Sequence, residues 1–416
     1  MTAMQGDKRR NNRRRQMRTR RRIFFGGLIG IVMFIAGVFL FPLFSHNGLD
    51  IALEPEPMIE EPIDLKISCV GDVMVHKPQL EAQYNIETDS YDFTNNFEYV
   101  KKYIESADVA LCNVETTFRG EPYSGYPLFS APETLANALK DAGFDVAITA
   151  NNHMMDTGFS GMQRTIDVLR EAGFATVGSR KAGESRYALV NAKDVKIAVM
   201  AYTYETPSQN GQTSINGNVL NSEAEELINH FNYNTLDEDL QHLADDIKKA
   251  REEGADIVIS YFHWGEEYQR SPNDWQQNIA RRAADMGVDI VFASHPHVLQ
   301  GMEIIENPNT GKKVPVFYSM GNFISNQRLE TLNNRYTEQG MIATVNLSYM
   351  KSTGQILTIA QEVMPTWVDK YISKGKLVYT IVPLNEDLVN NPSLKNSGHI
   401  NRAQQALDDV NALLSN

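Results

Sequence analysis

Apolar residues recur along this chain in two alternating rhythms. Short apolar runs at 65–70, 109–112, 144–150, 257–262 and 290–293 read as buried strands. Helix-spaced apolar positions fall between them, over 96–106, 132–142, 159–172, 236–253 and 273–286. Strands alternating with helices predict an α/β fold built on a parallel sheet covered by helices. Two further runs, 186–190 and 195–202, predict paired strands joined through Asn191-Ala192-Lys193-Asp194. Residues 205–221, rich in Ser, Asn, Gly and Gln, predict a long lid or binding loop. The texture then changes. Runs at 314–318, 341–349, 355–363 and 376–383 have few helices between them and predict a second, largely antiparallel sheet packed on the first. An amphipathic helix over 403–414 closes the chain.

The amino-terminal end follows neither rhythm. Residues 23–44 are 22 positions without a charge, which as a helix would span ~33 Å, enough for a bilayer core of ~30 Å. The run is too long for the apolar part of a signal peptide and ends in Phe41-Pro42-Leu43-Phe44-Ser45-His46, with no small-x-small cleavage site. A retained single-pass anchor is expected, followed by an acidic, proline-punctuated spacer over 45–63. The expected divisions are a basic tail (1–22), the anchor (23–44), the spacer (45–63), a domain (64–385) and a carboxyl-terminal extension with its helix (386–416).

Charge sharpens that picture. Of 416 residues, 42% are hydrophobic and the formal net charge is −13. Ten of the 39 Lys and Arg lie before residue 23, with one acid, Asp7; the remainder holds 29 basic against 51 acidic groups, a net of −22. So acidic a body argues against nucleic acid as a partner, because that interaction rests on neutralising phosphates. The basic tail places the amino terminus in the cytoplasm and the acidic domain outside the cell membrane. Two cysteines, Cys69 and Cys112, lie inside apolar runs; they are too few for a disulfide scaffold and are expected to be buried thiols.

The chemistry sits where the apolar runs stop. Five of them end in potential metal ligands: Asp72; Asn113 with Glu115; Asn152 with His153; His263; and His295 with His297. Each alone is compatible with a helix cap or a satisfied core histidine. Five recurrences point to one pocket at the carboxyl ends of neighbouring strands of one sheet, where open α/β folds hold ligands. Imidazole, carboxylate and amide together suit Mn, Fe or Zn better than Ca. Two such ions bridged by a carboxylate would clamp an anion and activate a water.

The segments Gly71-Asp72-Val73-Met74, Asn113-Val114-Glu115-Thr116, Asn151-Asn152-His153-Met154-Met155-Asp156, His263-Trp264-Gly265, Ser294-His295-Pro296-His297-Val298-Leu299-Gln300 and Gly321-Asn322-Phe323 resemble, in order and spacing, the bacterial capsule-synthesis CapA family. The likeness runs over about residues 66–330. It implies a calcineurin-like metallophosphatase sandwich of two β-sheets flanked by helices, here preceded by one transmembrane helix. It also implies one or two divalent metal ions and a role in making or exporting an anionic capsular polymer such as poly-γ-glutamate, alongside other membrane subunits of a polymer synthase. By the same resemblance Asp72, Glu115, Asn152, His263, His295 and His297 are metal ligands, Glu115 standing at the bridging position. His263 and His295 would serve one ion, Asp72 and His297 the other. His153 and Asp156 take the catalytic place, and Asn113, Trp264 and Asn322 the substrate-binding one. Metallophosphatases carry Asp-x-His in the first segment; Met74 stands in place of that histidine, and a thioether is a poor ligand for a hard ion. One site is therefore expected to be weak, empty, or completed by His76. A metal-dependent hydrolase or transferase is the leading expectation; a non-catalytic assembly or export subunit that holds polymer ends is the alternative.

Overall fold

The computed structural model describes residues 60–207, 211–307 and 310–415. The basic tail, the apolar run 23–44 and the spacer up to residue 59 lie outside the described residues. Among those described, no helix is long and apolar enough to cross a membrane.

Two β-sheets form the frame. The first contains β1 (Ile63–Val73), β2 (Val109–Val114), β3 (Val146–Ile148) and β4 (Ala175–Val177), all parallel. The second is built on β5 (Tyr187–Ala192), β6 (Val195–Tyr204), β7 (Ile257–His263), β8 (Ile290–Ser294), β9 (Met302–Glu306) and β10 (Lys313–Phe317). There β6, β7, β8 and β10 run parallel, while β5 and β9 are antiparallel to their neighbours. The hairpin between β5 and β6 turns at Lys193 and Asp194, both at positive φ (47° and 65°). Back in the first sheet, β11 (Asn322–Ile324) pairs with β1, and β12 (Gln339–Met350), β13 (Gln355–Ser373) and β14 (Lys376–Pro383) extend it, antiparallel, on the far side of β1.

That arrangement corrects the expected second sheet. Of its four strands, three belong to the first sheet and one, β10, lies parallel to β8 in the other. Alternating polarity tells which face of a strand is buried, not which strand lies beside it. β12 pairs antiparallel with β1, Ile67 opposite Val345 and Cys69 opposite Ala343, so their inward residues face the same core.

Three layers of apolar contact hold the sandwich together. Ile67, Cys69, Leu111, Ile148, Val199, Ile259 and Phe292, from both sheets, meet in the middle. On the outer face of the first sheet, Cys112, Val114 and Ala147 pack against α2 (Thr134–Asp141) and α3 (Gly158–Glu171). On the outer face of the second, Phe262 and Val291 pack against α4 (Leu236–Glu252) and α5 (Asp274–Met286). Cys69 and Cys112 are free buried thiols on opposite faces of the first sheet. The carboxyl-terminal helix α6 (Ile400–Leu414) sends Val410, Leu413 and Leu414 to the central core.

Candidate metal centre

β1 delivers Asp72 through a close crossing. A Cβ on Gly71 would lie 1.9 Å from the carbonyl oxygen of Gly321, and that oxygen accepts the Asp72 amide at 3.0 Å. Only glycine admits such an approach. The crossing sets Asp72 directly beside Asn322 of β11. β2 supplies Asn113 and, one residue past its end, Glu115. The turn after β3 supplies Asn151, Asn152 and His153, and α3 then begins at Gly158.

The remaining ligands come from the other sheet. His263 ends β7, and its register partner Ser294 ends β8. His295 and His297 follow with φ of 107° and 57°, a left-handed backbone that side chains other than glycine rarely adopt and that is characteristic of functional turns. The turn is held in place by Tyr268, whose amide donates to the Pro296 carbonyl at 2.7 Å. The ligands therefore do not line up along one sheet, as expected from sequence. They converge across the sandwich, Asp72, Glu115 and Asn152 from one sheet and His263, His295 and His297 from the other.

Asp72, Glu115 and His297 offer ligand atoms that all lie within 4.8 Å of one another. His297 Nδ1 is 3.0 Å from Asp72 Oδ2, and His263 Nε2 is 3.0 Å from Asn152 Oδ1. Glu115 Oε1 lies between these two pairs, 3.7 Å from His263 Nε2 and 3.8 Å from His297 Nε2. It is buried without a hydrogen-bond partner, as are His263 Nδ1 and His295 Nδ1. Buried polar atoms left unpaired cost ~1–3 kcal/mol each, more for charged groups, so this cluster is under-satisfied as a protein-only arrangement. The His263 and His295 rings are 4.8 Å apart, centroid to centroid.

Electrostatics carry the same mark. Burial alone would raise the Asp72 carboxyl, but its hydrogen bond and attraction to His297 outweigh it and hold the group below the usual carboxylate range. Burial, reinforced by the Asp72 charge, pushes Glu115 well up. Burial brings His263 down to about 3 and, helped by the neighbouring imidazoles, His295 well below its ordinary value. His297 is raised in spite of burial because it bonds Asp72. The neutral imidazoles are in the form that binds metals, and the carboxylate that resists ionisation is the one a cation would ionise. The donor set and the orphaned atoms fit a divalent transition metal.

Residues 66–327 match the family described as bacterial capsule synthesis protein PGA_cap. The chain belongs to that family. The capsule biosynthesis protein CapA of Bacillus anthracis is 31% identical over 278 residues, 63% of this chain and 60% of that protein. The PGA biosynthesis protein CapA of Bacillus subtilis strain 168 is 31% identical over 268 residues, 63% of this chain and 64% of that one. The chain thus spans less than two-thirds of either relative. Among solved structures, the calcineurin-like phosphoesterase YfkN from Bacillus subtilis aligns with a TM-score of 0.39 and 15% identity, over 83% of this chain and 99% of that one.

In this PGA_cap member the expected site residues take different places. His153 Nδ1 meets Asp156 Oδ2 at 2.8 Å, and the same oxygen accepts the Phe129 amide at 2.7 Å. Asp156 therefore orients His153, whose ring stands edge-on to Phe129 at 4.7 Å. Asn113, expected to touch substrate, donates instead to Asp72 Oδ1 at 2.8 Å and accepts from Asn151 at 3.2 Å. Asn322 is likewise fully buried; its Oδ1 is 3.1 Å from His297 Nδ1, and its amide donates to Thr337 and His297 carbonyls. Both asparagines hold the candidate ligands Asp72 and His297 from behind. Trp264, expected on the substrate side, is fully buried, stacks on Phe262 at 4.9 Å and donates to the Tyr318 carbonyl. It follows His263 and so faces the opposite side of the strand end, under α5.

Met74 is buried, and His76 is outside the group of Asp72, Glu115 and His297 whose ligand atoms lie within 4.8 Å of one another. The His76 ring lies at the start of α1 (Lys77–Gln83), with Nδ1 accepting from the Asn326 amide at 3.3 Å. Its pKa falls to about 4, through burial first and then the nearby His297 and His153. Sequence reasoning missed Tyr204, whose ring lies 4.7 Å from His295 and stacks parallel to His263 at 6.5 Å. The available signal was its position, at the end of the β6 apolar run. Phe129 carried no signal at all.

Proposed function

We propose that the protein is a membrane-anchored, outward-facing, metal-dependent hydrolase or transferase acting on an anionic capsular polymer of the poly-γ-glutamate kind. The observation that carries the reading is Glu115 Oε1, buried, unpaired and set between His263 and His297, the place of a carboxylate shared by two ions. Asn152, His263 and His295 would hold one ion, Asp72 and His297 the other. Bound there, divalent metal supplies a Lewis acid and a water that ionises near neutral pH.

The chain's own residues do the rest. Asp156 Oδ2 accepts from His153 Nδ1–H, so Nε2 carries the free lone pair and is the atom that takes or gives a proton. Asn113 and Asn322 fix the carboxylate and imidazole orientations from behind. The Bacillus relatives, both named for capsule or PGA biosynthesis, support the polymer as the substrate class. Met74, a poor ligand standing where the resemblance puts a histidine, favours one firmly held ion and a second of lower occupancy. It also keeps a second reading open, a non-catalytic subunit that holds polymer ends.

His153→Ala separates the two readings. The hydrolase reading expects near-normal metal content and fold with polymer production in cells slowed ~10²–10⁴-fold, whereas His295→Ala loses metal as well. Full polymer production by His153→Ala favours the assembly subunit.

A further inference from the structure

A cavity of about 300 Å³ opens between the edge strands β4 and β5, one from each sheet. Its wall carries Arg170, Arg180 and Arg186 against a single carboxylate, Glu184. Glu184 is fully engaged by Arg170 through two hydrogen bonds of 2.7 and 2.8 Å. Arg180 is only 9% exposed, yet its guanidinium reaches only neutral acceptors, Asn229 Oδ1 at 3.1 Å and the Glu226 carbonyl. The Arg186 guanidinium makes no hydrogen bond or ion pair with any described residue. The buried carboxylate facing both, Asp246, lies beyond ion-pair reach and accepts instead from the Tyr202 hydroxyl at 2.6 Å. Burial and the adjacent Arg186 charge push Arg180 down from its ordinary value.

A buried guanidinium with no ion-paired carboxylate, beside a second that is half-buried and unpaired, is unfavourable in a free protein, and unexpected in a body of net charge −22. Their planar donors match a carboxylate in two-pronged geometry. The volume sits at the lower end of the ~300–1,000 Å³ of ligand pockets, room for one amino-acid-sized unit. We propose that this cavity is a carboxylate-binding subsite, separate from the metal centre, in which Arg186 and Arg180 grip one acidic residue of the ligand.

Identifying that residue as part of a glutamyl polymer rests on the proposed function; the carboxylate specificity does not. The test is calorimetric titration of the detergent-solubilised full chain with a γ-linked glutamate oligomer, with glutamate and with inorganic phosphate. Wild type, Arg186→Gln and His295→Ala are compared. The wild type is expected to bind a carboxylate ligand, Arg186→Gln to bind it about tenfold or more weakly at an unchanged melting temperature, and His295→Ala to retain the Arg186-dependent part of that binding while losing whatever the metal centre contributes. Oligomer binding without monomer binding supports the subsite and identifies a polymer chain; equal binding supports it and identifies a free acid. Binding of phosphate alone, undiminished binding by Arg186→Gln, or complete loss of carboxylate binding in His295→Ala overturns it. Because the readout is binding at intact or depleted metal, a negative result leaves the reading of the metal centre standing.

Discussion

Gly71 decides whether Asp72 can reach the centre at all. Any side chain there meets the Gly321 carbonyl, 1.9 Å from an added Cβ, and Gly321 itself holds φ at +65° with the Gln339 carbonyl 2.6 Å from an added Cβ. Neither contact can yield, because both partners are backbone. Gly71→Ala is expected to lower stability by ~1–3 kcal/mol and to reduce bound metal, read by denaturant unfolding and elemental analysis; unchanged values for both would mean that β1 can shift without moving Asp72. At this scale the sequence is most informative where a polar residue ends an apolar run, because alternation and burial leave it few places to point. Asp72, Glu115, Asn152, His263, His295 and His297 end such runs, and the structure brings them together in one buried cluster. The supporting roles of Asn113 and Asn322 were not legible in the sequence, since their partners Asp72 and His297 lie 41 and 25 positions away and no local pattern encodes such a pairing. Trp264 shows the limit of such reading: the residue next to His263 on an extended segment faces away from it.

Helix α5 shows how an element ties into the centre. Its N-cap Asn273 accepts the Gln276 amide at 3.0 Å while Gln276 Oε1 accepts the Asn273 amide at 2.9 Å, a capping box. Gln276 Nε2 then donates to Gln300 at 2.8 Å, three residues past His297. Asn273→Ala should cost ~0.5–2 kcal/mol of stability in thermal unfolding, with metal content kept because the ligands themselves are untouched. An unchanged melting temperature would show that the cap contributes nothing. The helices themselves were readable to within a few residues, 236–253 becoming Leu236–Glu252 and 273–286 becoming Asp274–Met286. Over 96–106 the expected helix is instead two single turns, Thr94–Phe97 and Lys101–Ile104. Strand partnership was hidden for a physical reason: β12, β13 and β14 carry the period of half-buried strands but nothing that names β1 as their neighbour. The expected lid, 205–221, carries the two short strands Ser214–Ile215 and Asn218–Val219, and Ile215 and Leu220 pack on Met154, Met155 and Met162 beside the His153 turn.

For the whole molecule, the division of charge organises the proposal: ten cations before residue 23, then a body of net −22. Protease added to wall-less intact cells should digest the acidic domain and spare the basic tail; protection of the domain would reverse the proposed orientation, and soluble protein beginning near Ser45 would show cleavage instead of anchoring. The acidic surface repels an anionic polymer by long-range Coulomb force, which favours contact confined to the metal centre and the arginine-lined cavity over broad surface binding. The proposed chemistry depends on the cluster at Glu115 being a metal centre. The most direct measurement is elemental analysis of the full-length protein purified without chelator. The account predicts about one equivalent of Mn, Fe or Zn per chain held firmly, with a second of lower occupancy; no divalent transition metal above background would contradict it.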